Sequence, residues 1–335
     1  MPEQVQITLE SVKKYLNELT PKKDLLYIIQ PCSVGDFFYT GGLSLAVQKR
    51  KRKRGTVLIV KNRLKNLGVT YEHFKDIVFI PDDTMNVVMQ YFYASGDYEG
   101  DNYIYGHFHK PKQGGSYIWD ETLHLIDRYK KDVFKIPMDT PYAKPIVPKI
   151  SDENIAELHK KYVIDKNRTI IITPYTYSSK PLDMRFWMFL VMVLTEKGYI
   201  CYTSVNPAAA QEQPIPGTQP MTINFRELHY LSDKVKCFLG SRVGIFDFLA
   251  LTEAQTVTVV PFPDHWYSLS SLVYPGCHDH TFFNAIEYLL PMKSYMKEKN
   301  VHAELKFSHE HIPTEDICYS YEEIFNRVLN DVEKI

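Results

Sequence analysis

The sequence predicts an α/β chain of two domains, each a parallel sheet with crossover helices, on three observations. Its 335 residues exceed one average domain of roughly 100 to 200 residues. Short apolar runs rich in β-branched residues alternate with segments of helical period, the pattern of strand–helix–strand units. That alternation occurs twice, and the stretch carrying Pro137, Pro141, Pro145 and Pro148 separates the two series and reads as the linker. The expected divisions are a first domain at 1–147, a second at 148–318, and a C-terminal helix at 319–335 that crosses back to the first.

The elements follow in order. Leu9, Val12, Leu16 and Leu19 fall at helical spacing, so 7–19 is an amphipathic helix expected to pack on the sheet. A strand at Leu25–Ile29 leads through a loop to a helix over 36–50, then to strands at Val57–Val60 and Ile77–Ile80. The stretch 95–132 mixes Gly, Asp, Tyr, His and Trp without clear period and reads as an irregular wall of a site or a long connection. In the second half, strands are expected at Ile170–Ile172, Tyr199–Tyr202, Cys237–Leu239 and Thr256–Val260. Helices are expected at Met184–Thr195, Phe225–Leu231, from about Phe246, and at Tyr321–Val332.

Composition narrows the class. The apolar runs fall short of the ~20 residues a membrane span needs, so no transmembrane segment is expected. Glu3, Glu10, Lys13, Lys14 and Glu18 break up the start, which argues against a secretory signal and for a cytoplasmic place. Cys32, Cys201, Cys237, Cys277 and Cys318 are scattered and never spaced C-x-x-C, which reads as reduced thiols, mostly small core residues. A net charge of -1 argues against nucleic acid as a partner. The basic run Lys49–Arg54 closes the helix that precedes it, its cations complementing the carboxyl-end dipole. The alternative assigns it to an anionic lipid surface or a phosphorylated lipid acceptor, a peripheral contact at the inner membrane face.

Open parallel sheets bind ligands beyond the carboxyl ends of their strands, which directs attention to three strand-to-helix loops. In the first, 30–36, Gly35 is expected to let the backbone turn and Asp36 to project from the helix start. A carboxylate there can act as general base for an acceptor hydroxyl. Asp is equally a favoured helix cap, and a helix N-terminus lowers carboxylate basicity while burial raises it. In the second, 174–181, Ser178, Ser179 and Lys180 offer hydroxyls, amides and a cation to a diphosphate, with no metal ion required. In the third, 240–247, Gly244 permits close approach of a phosphate, with Ser241 and Arg242 as donors. Its spacing fits neither a dinucleotide fingerprint nor a P-loop.

Together these blocks resemble the heptosyltransferase-type family of bacterial GT-B glycosyltransferases and related polysaccharide-assembly transferases. Gly35-Asp36 stands where that family has its Gly-Asp and proposed base, and Ser178-Ser179-Lys180-Pro181 where it has a Ser-x-x-Lys-like donor loop. Pro216-Gly217-Thr218, Arg226-Glu227-Leu228 and Cys237-Phe238-Leu239-Gly240 then run in the family's order. The family's Asp-Ser-Gly-x-x-His is replaced by Arg242-Val243-Gly244-Ile245-Phe246-Asp247, which keeps only the glycine, so heptose itself is not implied.

The resemblance implies two Rossmann-like domains facing a central cleft and an inverting, metal-independent sugar transfer. The donor is a nucleotide sugar, the acceptor a saccharide or glycolipid, and no cofactor takes part. Asp36 is the implied base, Gly35, His107 and His109 lie on the acceptor side, and Ser178, Ser179, Lys180, Ser241, Arg242, Gly244 and Asp247 hold the donor. The alternatives are a noncatalytic carbohydrate-binding protein on the same fold, or a nucleotide-sugar epimerase or hydrolase. Alternate histidines at 107–109, 278–280 and 309–311 have no recognised zinc spacing, and no metal site is expected.

Overall fold

The computed structural model describes residues 8–107, 125–176, 182–207, 209–241, 243–262, 277–283, 317–318 and 321–335. The chain divides into two compact units, Met1–Ile146 and Val147–Ile335.

The first unit is built on a four-stranded parallel sheet: β1 (Leu26–Gln30), β2 (Thr56–Lys61), β3 (Phe74–Ile80) and β4 (Tyr103–Tyr105), in the order β3-β2-β1-β4. Strands β1 and β2 are buried along their whole length, as a parallel sheet covered on both faces demands. That is why they read as unbroken apolar runs. Helix α1 (Leu9–Leu19) buries Val12 and Leu16 and leaves Leu9 in solvent. Each buried side chain of this kind contributes about 1.5–3 kcal/mol. Its neighbour is α3 (Asp82–Ser95), a helix absent from the sequence reading. Helix α2 (Val34–Arg50) is the central one, with Phe37 through Ser44 all buried.

The stretch expected to be irregular supplies β4 and α4 (Leu125–Arg128), which continues as a π-helical turn over Tyr129–Phe134. The basic run is largely neutralised. Arg50 and Lys51, together with Lys135, converge on Glu99 at 2.8–2.9 Å, Lys53 reaches Asp101, and Arg54 pairs with Asp24. Lys49 and Arg50 occupy the last turn of α2, as the dipole argument requires.

The second unit carries a seven-stranded sheet in the order β11-β10-β9-β8-β5-β6-β7, every pairing parallel. Its strands are β5 (Thr169–Thr173), β6 (Ile200–Ser204), β7 (Gln219–Met221), β8 (Cys237–Ser241), β9 (Thr256–Phe262), β10 (Cys277–Phe283) and β11 (Ile317–Cys318). Helices α5 (Asp152–Lys161), α6 (Met184–Glu196), α7 (Phe225–Leu231) and α8 (Gly244–Leu249) alternate with them, and α9 (Tyr321–Lys334) ends the chain. The core joins Ile170, Ile172, Trp187, Leu190, Leu239 and Val257. Val328 and Val332 of α9 belong to that same core, with Phe325 and Leu329 packed beside them. The helix expected to cross back to the first unit therefore buries this stripe within the second, against α6.

In both sheets the strand order reverses at the first strand. From β1 the chain moves to β2 and β3 on one side, and β4 then pairs on the other; β5, β6, β7 and β8 repeat the arrangement. The carboxyl ends of β1 and β4, and of β5 and β8, are thus the switch points where open α/β sheets form crevices. The three loops singled out in the sequence follow β1, β5 and β8. Among the described residues, no helix is long and apolar enough to cross a membrane.

Candidate active site

At the β1/β4 switch point the site is organised by Gln30, the fully buried last residue of β1. Its side-chain amide donates to the Gly106 carbonyl at 2.8 Å and to the Thr40 hydroxyl at 3.1 Å. Its carbonyl oxygen accepts from the Cys32 amide at 2.6 Å. One buried amide thereby ties the loop after β1, the first turns of α2 and the segment after β4. Gly106 is required at that crossing, because a Cβ there would stand 2.8 Å from Ile28 Cγ2 and 3.3 Å from the Ile29 carbonyl oxygen.

Ser33, not Asp36, is the N-cap of α2, and Asp36 is the third helical residue. Its Oδ2 accepts from the Ser33 amide at 3.1 Å and the Ser33 hydroxyl at 2.9 Å, the amide bond being the one a capping box makes from its third helical residue back to the N-cap. Its Oδ1 accepts from the Tyr129 hydroxyl at 2.6 Å and lies 3.7 Å from His107 Nε2. Gly35 does not make the expected turn; it is a buried helical residue, and the chain has already entered α2 at Val34. His107 is 4% exposed, so it supports the carboxylate from within and does not form an open wall. His109 lies outside the described residues.

Three forces set the charge of Asp36. Burial favours the neutral acid, but the field of His107 and the hydrogen bonds from Tyr129 and Ser33 outweigh it and hold the carboxyl below its usual value. The balance of these forces favours the ionised form. Burial, and then the Asp36 charge, raise Tyr129 well above the ordinary phenol range, so it stays a donor. The same two influences raise the Cys32 thiol, against the opposing pull of Lys61 and Arg63.

At the β5/β8 switch point, Ser241 is completely buried and its hydroxyl donates to the Pro174 carbonyl at 3.1 Å. In this structure that hydroxyl joins the two loops. Asp247 is also fully buried within the six-residue α8, which leaves it no face open to a donor sugar. Gly244 opens that helix and is partly exposed. Ser178, Ser179, Lys180 and Arg242 lie outside the described residues.

Sequence reasoning missed Tyr129 and Cys32 as site residues. Tyr129 sits in a stretch with no readable period, and 93 residues separate it from its partner. Cys32 carried a weak signal: its place between the end of β1 and the start of α2.

No family model matches the chain, and no curated protein matches it. Solved structures do. A glycosyl transferase family 9 structure from Veillonella parvula superposes with a TM-score of 0.57 at 11% identity, covering 93% of this chain and 98% of that one. The E. coli ADP-heptose LPS heptosyltransferase II superposes with a TM-score of 0.51 at 10% identity, covering 76% and 89%. This chain therefore has the α/β fold of those transferases, built on parallel sheets.

Proposed function

We propose that this chain is an inverting glycosyltransferase, moving a sugar from a nucleotide-sugar donor to a saccharide or glycolipid acceptor in bacterial surface-polysaccharide assembly. One observation carries the reading: an ionised, half-buried carboxylate, Asp36, held by Tyr129 and Ser33 at the β1/β4 switch point of a fold shared with glycosyltransferases. The acceptor hydroxyl attacks the anomeric carbon as the bond to the donor's diphosphate breaks, and its proton passes to Asp36. A carboxylate is a weak base, but the attacking hydroxyl becomes acidic as its new bond forms, which is when the proton moves. Donor binding is assigned to the second unit, with Lys180 and Arg242 neutralising the leaving diphosphate without a metal ion.

The test is a thermal-shift panel with UDP, GDP, ADP, dTDP, CDP and CMP, each with and without magnesium. ADP is tested first because a structurally similar E. coli protein is named for ADP-heptose. A ligand at ~100 times its dissociation constant adds about 2.7 kcal/mol, enough for a clear shift. The expected result is a selective, magnesium-independent shift with one nucleotide, lost in Lys180→Ala. Asp36→Asn should keep that shift and lose transfer, read as acceptor-dependent release of nucleoside diphosphate. Full turnover in Asp36→Asn would remove the assigned base, and silence from every nucleotide would favour a noncatalytic protein.

A further inference from the structure

The geometry points to a divalent-cation site at Cys32, Asp36 and His107, three residues that the transfer reaction does not require to act as ligands. A thiol sulfur, a carboxylate oxygen and an imidazole nitrogen lie within 4.8 Å of one another there. Tetrahedral zinc, with bonds of about 2.0–2.3 Å, sets its ligand atoms roughly 3.3–3.8 Å apart. The Asp36–His107 separation of 3.7 Å lies within about 0.4 Å of the nitrogen–oxygen spacing, and Cys32 needs to close by about an ångström. A sulfur, nitrogen and oxygen set favours zinc or cobalt over magnesium and calcium, which prefer all-oxygen shells.

The surroundings fit a cation as well as the ligands do. Cys32 follows β1, Asp36 stands on the first turn of α2 and His107 follows β4, and Gln30 fastens all three segments. The ligands are thus held by rigid elements before any ion arrives. Tyr129 and Ser33 hydrogen-bond the Asp36 carboxylate from outside, the outer-shell support that metal-bound carboxylates ordinarily have. Cys32 and Asp36 are only partly buried, which leaves an entry path and an open fourth position for water. On binding, the sulfur–metal bond replaces the thiol S–H, the His107 nitrogen that takes the metal gives up its proton, and both protons go to solvent.

The consequence for transfer rests on the reading of Asp36 as base. A metal ion on its carboxylate occupies the group that would take the acceptor's proton, so zinc acts as a reversible blocker. This separates the site from a catalytic metal.

The test uses the full chain, reduced and stripped with a chelator, titrated with cobalt(II). The expected result is one equivalent bound with a thiolate-to-cobalt charge-transfer band, displaced by zinc. The band should vanish in Cys32→Ser and persist in Cys277→Ser, and His107→Gln should bind at least roughly tenfold more weakly. Circular dichroism of each metal-free variant checks that it folds. No band in the wild type, or a band that survives Cys32→Ser, would overturn the site. A normal band with transfer insensitive to zinc would keep the site and remove Asp36 as the base.

Discussion

Tyr129 donates its phenolic proton to Asp36 Oδ1 across 2.6 Å, joining the start of a π-helical turn to the first turn of α2. Removing that proton leaves a carboxylate one hydrogen bond short. Tyr129→Phe is expected to destabilise the chain by about 2 kcal/mol at pH 7, the scale of a hydrogen bond to a charged group. Asp36 has a folded pKa below its unfolded value, so its contribution is present above the unfolded value and lost as pH falls through the folded one. The gap between wild type and variant should therefore begin to narrow below about pH 4 and go on narrowing as pH falls towards the lower folded value. Urea titrations at pH 7 and at successive steps below pH 4 measure both arms. In a transfer assay, the acid limb of kcat/KM should move to higher pH in the variant.

Gly240 on β8 faces the backbone of Thr173 on β5, and an added Cβ would overlap the Thr173 carbonyl. The contact involves two paired strands, so no flexible side chain can move away to relieve it. Gly240→Ala is expected to cost about 3 kcal/mol, at the upper end of overpacking effects. It should show as a lower urea midpoint at unchanged slope. The Ser241-to-Pro174 bond lies one residue further on, so any nucleotide-induced thermal shift should weaken in the same variant.

How much of this was readable follows from what each residue answers to. Strands β1, β2, β5, β8 and β9 were legible because sheets covered on both faces need unbroken apolar runs, and Ile170–Ile172 and Val57–Val60 supply them. The loops at both switch points were legible for the same reason, since finding the strands places the loops. Helix α3 was not, because Val87, Val88, Tyr91, Phe92 and Tyr93 give its middle the β-branched and aromatic composition of a strand. Strand β4 has three residues, too few for any period. Asp36 was found by its place in a motif, whereas Tyr129 reaches it only through tertiary packing, where its ring stacks on Tyr39 at 5.3 Å. The burial of Ser241 and Asp247 was not legible, because polar residues beside a glycine read as open loop, and here both are interior.

Glu99 gathers Arg50, Lys51 and Lys135, and the cluster sets its titration. Burial would raise the carboxyl, but Lys51, Lys135 and Arg50 pull it down to about 2. The unscreened linkage from 4.5 is roughly 3 kcal/mol, reduced to about 1–2 kcal/mol because the partners are part-exposed. Glu99→Gln should lose that amount at pH 7 in low salt and less in high salt, where exposed partners are screened. The stabilisation is complete above pH 4.5 and disappears as pH falls towards 2, so wild type and variant should converge over that window. Thermal melts across pH and salt provide the measurement.

His73 provides a neutral-to-acid switch in stability that is independent of the site. The Ser44 hydroxyl lies 2.7 Å from the Gly41 carbonyl, to which it can donate, and is hydrogen-bonded to His73 Nε2 at 2.6 Å. Burial holds the folded imidazole at about 4, against 6.5 when unfolded. Between those values the unfolded chain binds a proton that the folded chain refuses, so stability falls as pH drops from 6.5 towards 4. The full linkage is roughly 3 kcal/mol, reduced to about 1–2 kcal/mol because the ring is only partly buried. His73→Gln keeps a polar partner for Ser44, able to donate or accept, and cannot titrate. It should therefore lie below wild type at pH 7.5, by about 1 kcal/mol for imperfect packing, and flatten the loss between pH 6.5 and 5. Equal slopes in the two proteins over that interval, measured by urea unfolding, would assign the pH dependence to other groups.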